Sequence, residues 1–445
     1  MSTNLWAVYT PDTKQPWDLR RVVHLHRRAA FAGTWNELQR DLKDGPEAAV
    51  ARLVNGTANL HTGHEFDATA RLLFDAAQSQ GEIGRLKAGW FYRFLFGPHP
   101  LLEKLTLLWH DHFATAHAKV DDATLMRRQN DTLRQHAFGK FADLLNAAVR
   151  EPALLLYLDA QTNRKGRANE NLGRELMELF TLGVGHYSEA DVKGAARALT
   201  GWSVEEGQFV EVAERHDDGE KIILGQSSKF DGTKLLALLL KQPAVAERIV
   251  GKLARQFFGD GGLSSDAAKQ LAAGLRERDL NIGWAVETIL KSTLFFDAAN
   301  IRNRVLGPVE FVVGTARSLE LFDPAPSTLA MADWSARIGQ DLFDPPNVGG
   351  WPTGKKWIHS RSWIARSNYA AALVAGPNSG RSEPYDPAAQ TKKHGFGTKP
   401  NDLLTYHHRL LFGTDASAET VNRLGGSEPR PMVTALLSSP DAQLG

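Results

Sequence analysis

LTLLWHDHFATAH, residues 105–117, sets His110, Asp111, His112 and His117 among Leu107, Leu108, Trp109 and Phe113, in a run that otherwise reads as buried helix. Imidazole and carboxylate are costly to bury unless each finds a partner. At about 100° per residue, His110 and His117 fall on nearly one side of a helix, while His112 lies about 200° from His110. A straight helix therefore cannot aim His110 and His112 at one ion, although a helix end or kink within 109–113 would let them converge. Two readings stay open: a metal or general-base site, or core histidines that hydrogen-bond to neighbouring elements.

Working outward, apolar residues recur at three- and four-residue spacing over 35–56, broken at Gly45-Pro46, and over 68–97 and 100–116. The same pattern predicts helices at 122–150, 170–182, 189–200, 234–258, 265–277, 281–292 and 305–321. Residues 207–225 alternate apolar and polar, which predicts a β-hairpin with Asp218-Gly219 at its tip. DLFDPPNVGGWPTGKKWI, 341–358, is too rich in proline and glycine for regular helix and reads as a rigid loop. The expected fold is mainly α: a large multi-helix body over 1–375 with a small β-hairpin insertion at about 203–230. A linker or long loop at 376–400 and a C-terminal helical cap at 401–445 complete it.

Composition bounds the function. A chain of 445 residues has room for a large core, and 42% hydrophobic with 23% charged residues is ordinary for a globular protein. Basic and acidic residues nearly cancel, 52 against 51, without a long block of one sign, which argues against nucleic acid as a partner. Cysteine is absent, which excludes disulfides, thiolate metal sites and a cysteine nucleophile. The N-terminal run has no basic segment followed by an apolar one, and the longest apolar run, LLALLL at 235–240, is too short for a membrane span. The expected address is the cytoplasm. The chain also lacks GxGxxG, P-loop, GxSxG, HExxH and EF-hand patterns, which removes support from the usual nucleotide, serine-hydrolase and zincin readings.

A second group of charges lies in NENLGRELMELFTLGVG, 169–185. Asn169 is placed to cap a helix that Gly183 and Gly185 would stop. Leu172, Leu176, Met177, Leu179, Phe180 and Leu182 cover most of its circumference, so Glu170, Arg174, Glu175 and Glu178 sit among apolar residues. Glu170 and Arg174 are four apart and can pair. Asn171, Glu175 and Glu178 share a stripe without a local cation, and a buried carboxylate needs a counter-charge or a proton. The histidines at 110–117 are the expected suppliers. Ser188 and Asp191 have capping-box spacing for the next helix. His216 and Asp217 either pair across the hairpin or dip into the buried charges. Trp351 is either a packed anchor or a flat platform for a sugar.

Taken in order, HLHRRAAFAG (24–33), KLTLLWHDHFATAH (104–117), NENLGRELMELFTLGVGHYSEADVKGAARALTGW (169–202), HDDGEKIILG (216–225) and GQDLFDPPNVGGWPTGKKWI (339–358) resemble a bacterial family, domain of unknown function 1800. The resemblance covers nearly the whole chain from about residue 20. His26 and Ala32 depart from it, standing where the family usually has an apolar residue and a glycine. The resemblance implies no established activity. Many relatives look exported, which stands against the cytoplasmic expectation. Relatives often adjoin genes for a sulfatase-like family, which implies the product of such a gene as a partner.

Two functions are expected. The first is a metal-assisted or acid/base hydrolase acting on a polymer or glycan. In it His110, His112 and Glu175 hold a divalent metal (zinc, manganese or iron) or act as base and acid. Glu170 and Arg174 orient them, His216 and Asp217 complete the catalytic set, and Asn171, Asn347 and Trp351 meet the substrate. The second is a non-catalytic binding or assembly protein with a buried His/Glu/Arg network. On either reading the pocket is expected between the 100–117 and 169–182 helices, under the hairpin and the 343–357 loop.

Overall fold

Leucines and aromatics at helical spacing sort the chain onto two adjoining apolar cores. A computed structural model describes residues 4–60 and 65–445. Helices carry most of the regular structure among them, beside two small two-stranded antiparallel sheets. One core draws on residues from Trp6 to Phe296, the other chiefly on residues from Phe74 to Ala442. The helix Pro100–His112 lies between the two: Leu101, Leu105 and Trp109 enter the first core, and Leu107 enters the second. It ends sooner than its pattern predicts, and His117 opens a separate short helix, His117–Val120.

Other helices follow the apolar pattern, with breaks. The 122–150 stretch divides into Ala123–His136 and Phe141–Ala148. The 234–258 stretch divides into Gly232–Leu240 and Pro243–Phe258, where Pro243 takes a first-turn position that needs no donor. Leu19–Ala29 is a helix that periodicity does not reveal, because it buries Arg21, His24, His26, Arg27 and Arg28 beside its aliphatic residues. The 376–400 stretch includes the helix Pro387–Lys393, with Tyr385 and Thr391 buried. From the C-terminal segment, Tyr406 and Leu410 of helix Pro400–Phe412 pack with Val22, Val23, Trp35 and Leu38 near the N-terminus.

The β insertion differs from the expected single hairpin. Trp202–Glu205 pairs with Gln208–Glu211, and Lys221–Ile223 pairs with Gln226–Ser228. The tips are Glu206-Gly207 and Leu224-Gly225, each with positive φ at both residues, as a two-residue turn matched to strand twist requires. Asp218-Gly219 instead lies between the two hairpins, where the Asp217 carboxylate accepts the Gly219 N–H at 3.0 Å.

Ion pairs let the cores admit some charged residues. Arg317 donates to both carboxylate oxygens of Glu37, at 3.2 and 3.1 Å, and to the carbonyls of Ala32 and Leu95. Glu37 also accepts the backbone N–H groups of Thr34 and Leu60. Arg317→Met would strand the Glu37 charge and is predicted to cost about 3–5 kcal/mol in urea unfolding. A loss under about 1 kcal/mol would mean that the pair behaves like an exposed one.

Candidate functional site

The histidines of the opening stretch leave helix Pro100–His112 toward different neighbours, and both meet backbone groups. His110 Nε2 accepts the Phe343 N–H at 3.1 Å, among the rings of Trp90, Phe343 and Trp351. Burial, reinforced by Arg134, pushes its pKa down to about 3, so the ring is neutral. His112 donates from Nε2 to the Phe180 carbonyl at 3.1 Å. Phe180 lies in the wide π turn Leu176–Thr181 that continues the helix Asn171–Glu175. Carbonyls at this helix end are met from outside, Leu179 by Arg248 and Phe180 by His112. His112 therefore closes a helix end and does not neutralise an acid.

The acids of 169–185 find other partners or none. Glu175 is half-buried and makes no hydrogen bond or ion pair with any described residue; burial and the neighbouring Glu178 push its carboxyl above the usual range. Glu178 accepts from the Tyr187 hydroxyl at 2.6 Å. Arg174 bridges Glu170 at 3.1 Å and Glu189 at 2.7 Å. Asn169 caps the exposed Asn171 at 3.0 Å. His216 donates from Nδ1 to the Thr200 carbonyl at 2.9 Å, and Arg197 holds Asp217 at 2.7 Å with its pKa near 2. Asn347 is exposed and shapes its own turn by accepting the Gly349 N–H at 2.8 Å. Among the described residues no three His, Asp or Glu side chains are grouped to hold a metal ion. Among the described residues His110, His112 and Glu175 are thus not grouped as a metal centre: each histidine meets a backbone group on a different neighbour, and Glu175 bonds to neither.

A concave site lies on another flank of the same helix. A cleft of about 210 Å³ opens between Leu107, Leu108 and Asp111, helix Pro243–Phe258, and the loop from Trp351 to Trp357. Neither the 169–182 segment nor the β insertion lines it; helix Pro243–Phe258 takes the place expected of them. Of the residues given site roles from the sequence, Trp351 alone lines the cleft, joined by Asp111 from the opening stretch. Asp111 fixes one wall: its carboxylate accepts the Trp351 N–H at 2.8 Å and pairs with Lys252 at 3.0 Å. Gly350, at φ +86°, backs onto that carboxylate so closely that a Cβ would lie 2.2 Å from it.

The floor is a buried charge cluster. Glu310, 5% exposed, accepts from Lys104, from Arg304 at 2.8 Å, from the Gly307 N–H at 2.8 Å and from Gln256 at 3.3 Å. Arg304 and Lys104 hold its carboxyl well below the usual range despite burial. Lys104, 1% exposed, also donates to the Arg27 carbonyl at 3.2 Å, and burial pushes its pKa down to about 8. At the mouth, Arg255 and Lys355 are exposed and make no ion pair with any described residue. Five cations (Lys104, Lys252, Arg255, Arg304 and Lys355) thus face three carboxylates (Asp111, Asp260 and Glu310).

Glu310 was legible as a lone charge inside an apolar run, PVEFVVG, and Lys104 as half of the Glu103-Lys104 pair in LEKLTLL. Arg255 and Lys355 carry no such mark. A family model described as "Protein of unknown function (DUF1800)" matches residues 24–444. The chain belongs to the DUF1800 family. Two stretches that carry the family resemblance, 104–117 and 339–358, supply much of the cleft wall in this DUF1800 protein. Comparison with curated proteins and with solved structures finds no match. No helix of the described residues is long and apolar enough to cross a membrane.

Buried neutral histidines give a pH signature. His110 is held near 3 and His407 near 4, and His24 and His112 lie well below the ordinary range, all chiefly through burial. Unfolding frees each to protonate, so their stabilisation is complete above about pH 6.5 and is lost as pH falls toward the folded values. Tm is predicted to fall steadily between pH 6.5 and 4.5, each histidine contributing up to about 1.4 kcal/mol per pH unit. A flat profile across that window would contradict the assignment.

Proposed function

We propose that the cleft binds the anionic group (sulfate, phosphate or carboxylate) of a small ligand or of one residue of a polymer or glycan. The carrying observation is the excess of cations over carboxylates in one concavity, with Arg255 and Lys355 unpaired at its mouth. Net positive charge between low-dielectric walls focuses the field on an anion, and Leu107, Leu108, Trp351 and Trp357 supply such walls. A guanidinium fork suits a carboxylate, phosphate or similar oxyanion. The cavity is smaller than the roughly 300–1,000 Å³ of drug-sized pockets, which suits one charged group and its immediate neighbour.

The same geometry supports binding over acid/base hydrolysis. Cleavage of a glycan by paired carboxyls needs one of them to keep a proton near neutrality. Glu310 is pushed the opposite way by Lys104 and Arg304, and Asp111 is engaged by Lys252. A sulfatase-like partner, implied by the family resemblance, would handle the same class of charged group.

Thermal shift with sodium sulfate against sodium chloride at matched ionic strength tests the reading. Sulfate is expected to raise Tm saturably, and the Arg255→Gln/Lys355→Gln double variant, altered only at exposed side chains, is expected to lose the effect. If sulfate, phosphate and acetate each do no more than chloride, the cleft is not an anion site.

A further inference from the structure

We infer that Lys104 is a reactive amine at the floor of the cleft, where it forms an imine with a carbonyl compound that carries an anionic group. The inference rests on the anion-binding reading and adds a covalent chemistry to it. Lys104 projects from a helix held between two cores, and its Nζ is fixed by the Arg27 carbonyl and Glu310, 4.9 Å from the Phe31 ring centre.

What frees this lysine for chemistry is that Glu310 does not depend on it. Arg304 reaches both Glu310 oxygens, at 3.0 and 2.8 Å, and Gly307 and Gln256 donate as well. Fully buried Arg28 adds positive charge to the cluster and has Nε and one terminal nitrogen without a partner. The cluster therefore holds more cations than its carboxylate can use. Arginine keeps its proton, so lysine is the member that relieves the excess by becoming a neutral nucleophile. Lys252 does not share this freedom: it is the sole ion-pair partner of Asp111 among the described residues.

In the step, the neutral Nζ adds its lone pair to the carbonyl carbon and the π pair moves to oxygen. Both Nζ protons then leave with that oxygen as water, and a C=N bond remains; nothing is oxidised or reduced. The anionic group of the same compound meets Arg255 and Lys355.

Glyoxylate, a minimal union of carbonyl and carboxylate, is the probe, with cyanoborohydride trapping on the intact protein and mass spectrometry of its peptides. Selective carboxymethylation of Lys104 is expected, suppressed by excess sulfate. In Lys104→Arg, which retains the charge, the adduct at that position is lost. Labelling should climb through about pH 8, where exposed lysines, with pKa values near about 10.4, still resist. Trapping on exposed lysines in place of Lys104, while sulfate still stabilises the protein, would overturn the amine and leave the anion site standing. Loss of both the sulfate effect and the Lys104 adduct would overturn both.

Discussion

One buried carboxylate organises the centre of this protein. Glu310 receives hydrogen bonds from Lys104, Gln256, Arg304 and Gly307, which brings the helices Pro100–His112, Pro243–Phe258 and Pro308–Ser318 and the segment before the last of them onto one point. Taking these charges out of water costs several kcal/mol each, and the cost is offset only where geometry satisfies every group. Asp111 makes a second, smaller tie, joining the same helix to Lys252 and to the backbone of the proline- and glycine-rich loop. Between the two ties a cleft remains, walled by Leu107, Leu108, Trp351 and Trp357 and edged by charged side chains.

The charge left over at those ties gives the cleft its chemistry. Asp111 and Glu310 are consumed as structural acceptors by Lys252, Lys104 and Arg304, which leaves Arg255 and Lys355 against Asp260 in the same space. Surplus positive charge inside apolar walls selects for anions, and the histidines, held neutral by burial, add nothing to it. Aromatic contacts around His110 place the imidazole as a brace for the loop: it accepts the Phe343 N–H while the Phe343 carbonyl accepts the His117 N–H at 2.7 Å.

How far the sequence could be read follows from which forces leave a pattern. Burial of an aliphatic stripe does, and the helices around Leu101, Leu105 and Trp109 were legible for that reason. Leu19–Ala29 was not, since it buries arginines and histidines, and the partners of His24 and His26, the Phe295 carbonyl and Asp41, lie outside the helix. Asp218-Gly219 misled because turn propensity is local, while Glu206-Gly207 and Leu224-Gly225 took the tips once the strands were in register. The histidine site misled for a related reason: His110 and His112 do have partners, but these are backbone groups of Phe343 and Phe180, and backbone carries no residue signature. Lys104, beside Glu103, and Glu310 also stood as charges in apolar company, yet only folding reveals that Lys104 answers Glu310 across 206 residues.

The most direct measure of where the surplus charge resides is anomalous diffraction at the selenium edge from a crystal soaked in selenate. The account predicts a selenium peak in the cleft, among Arg255, Arg304 and Lys355. Peaks confined to other surfaces, with the cleft empty at saturating selenate, would contradict it.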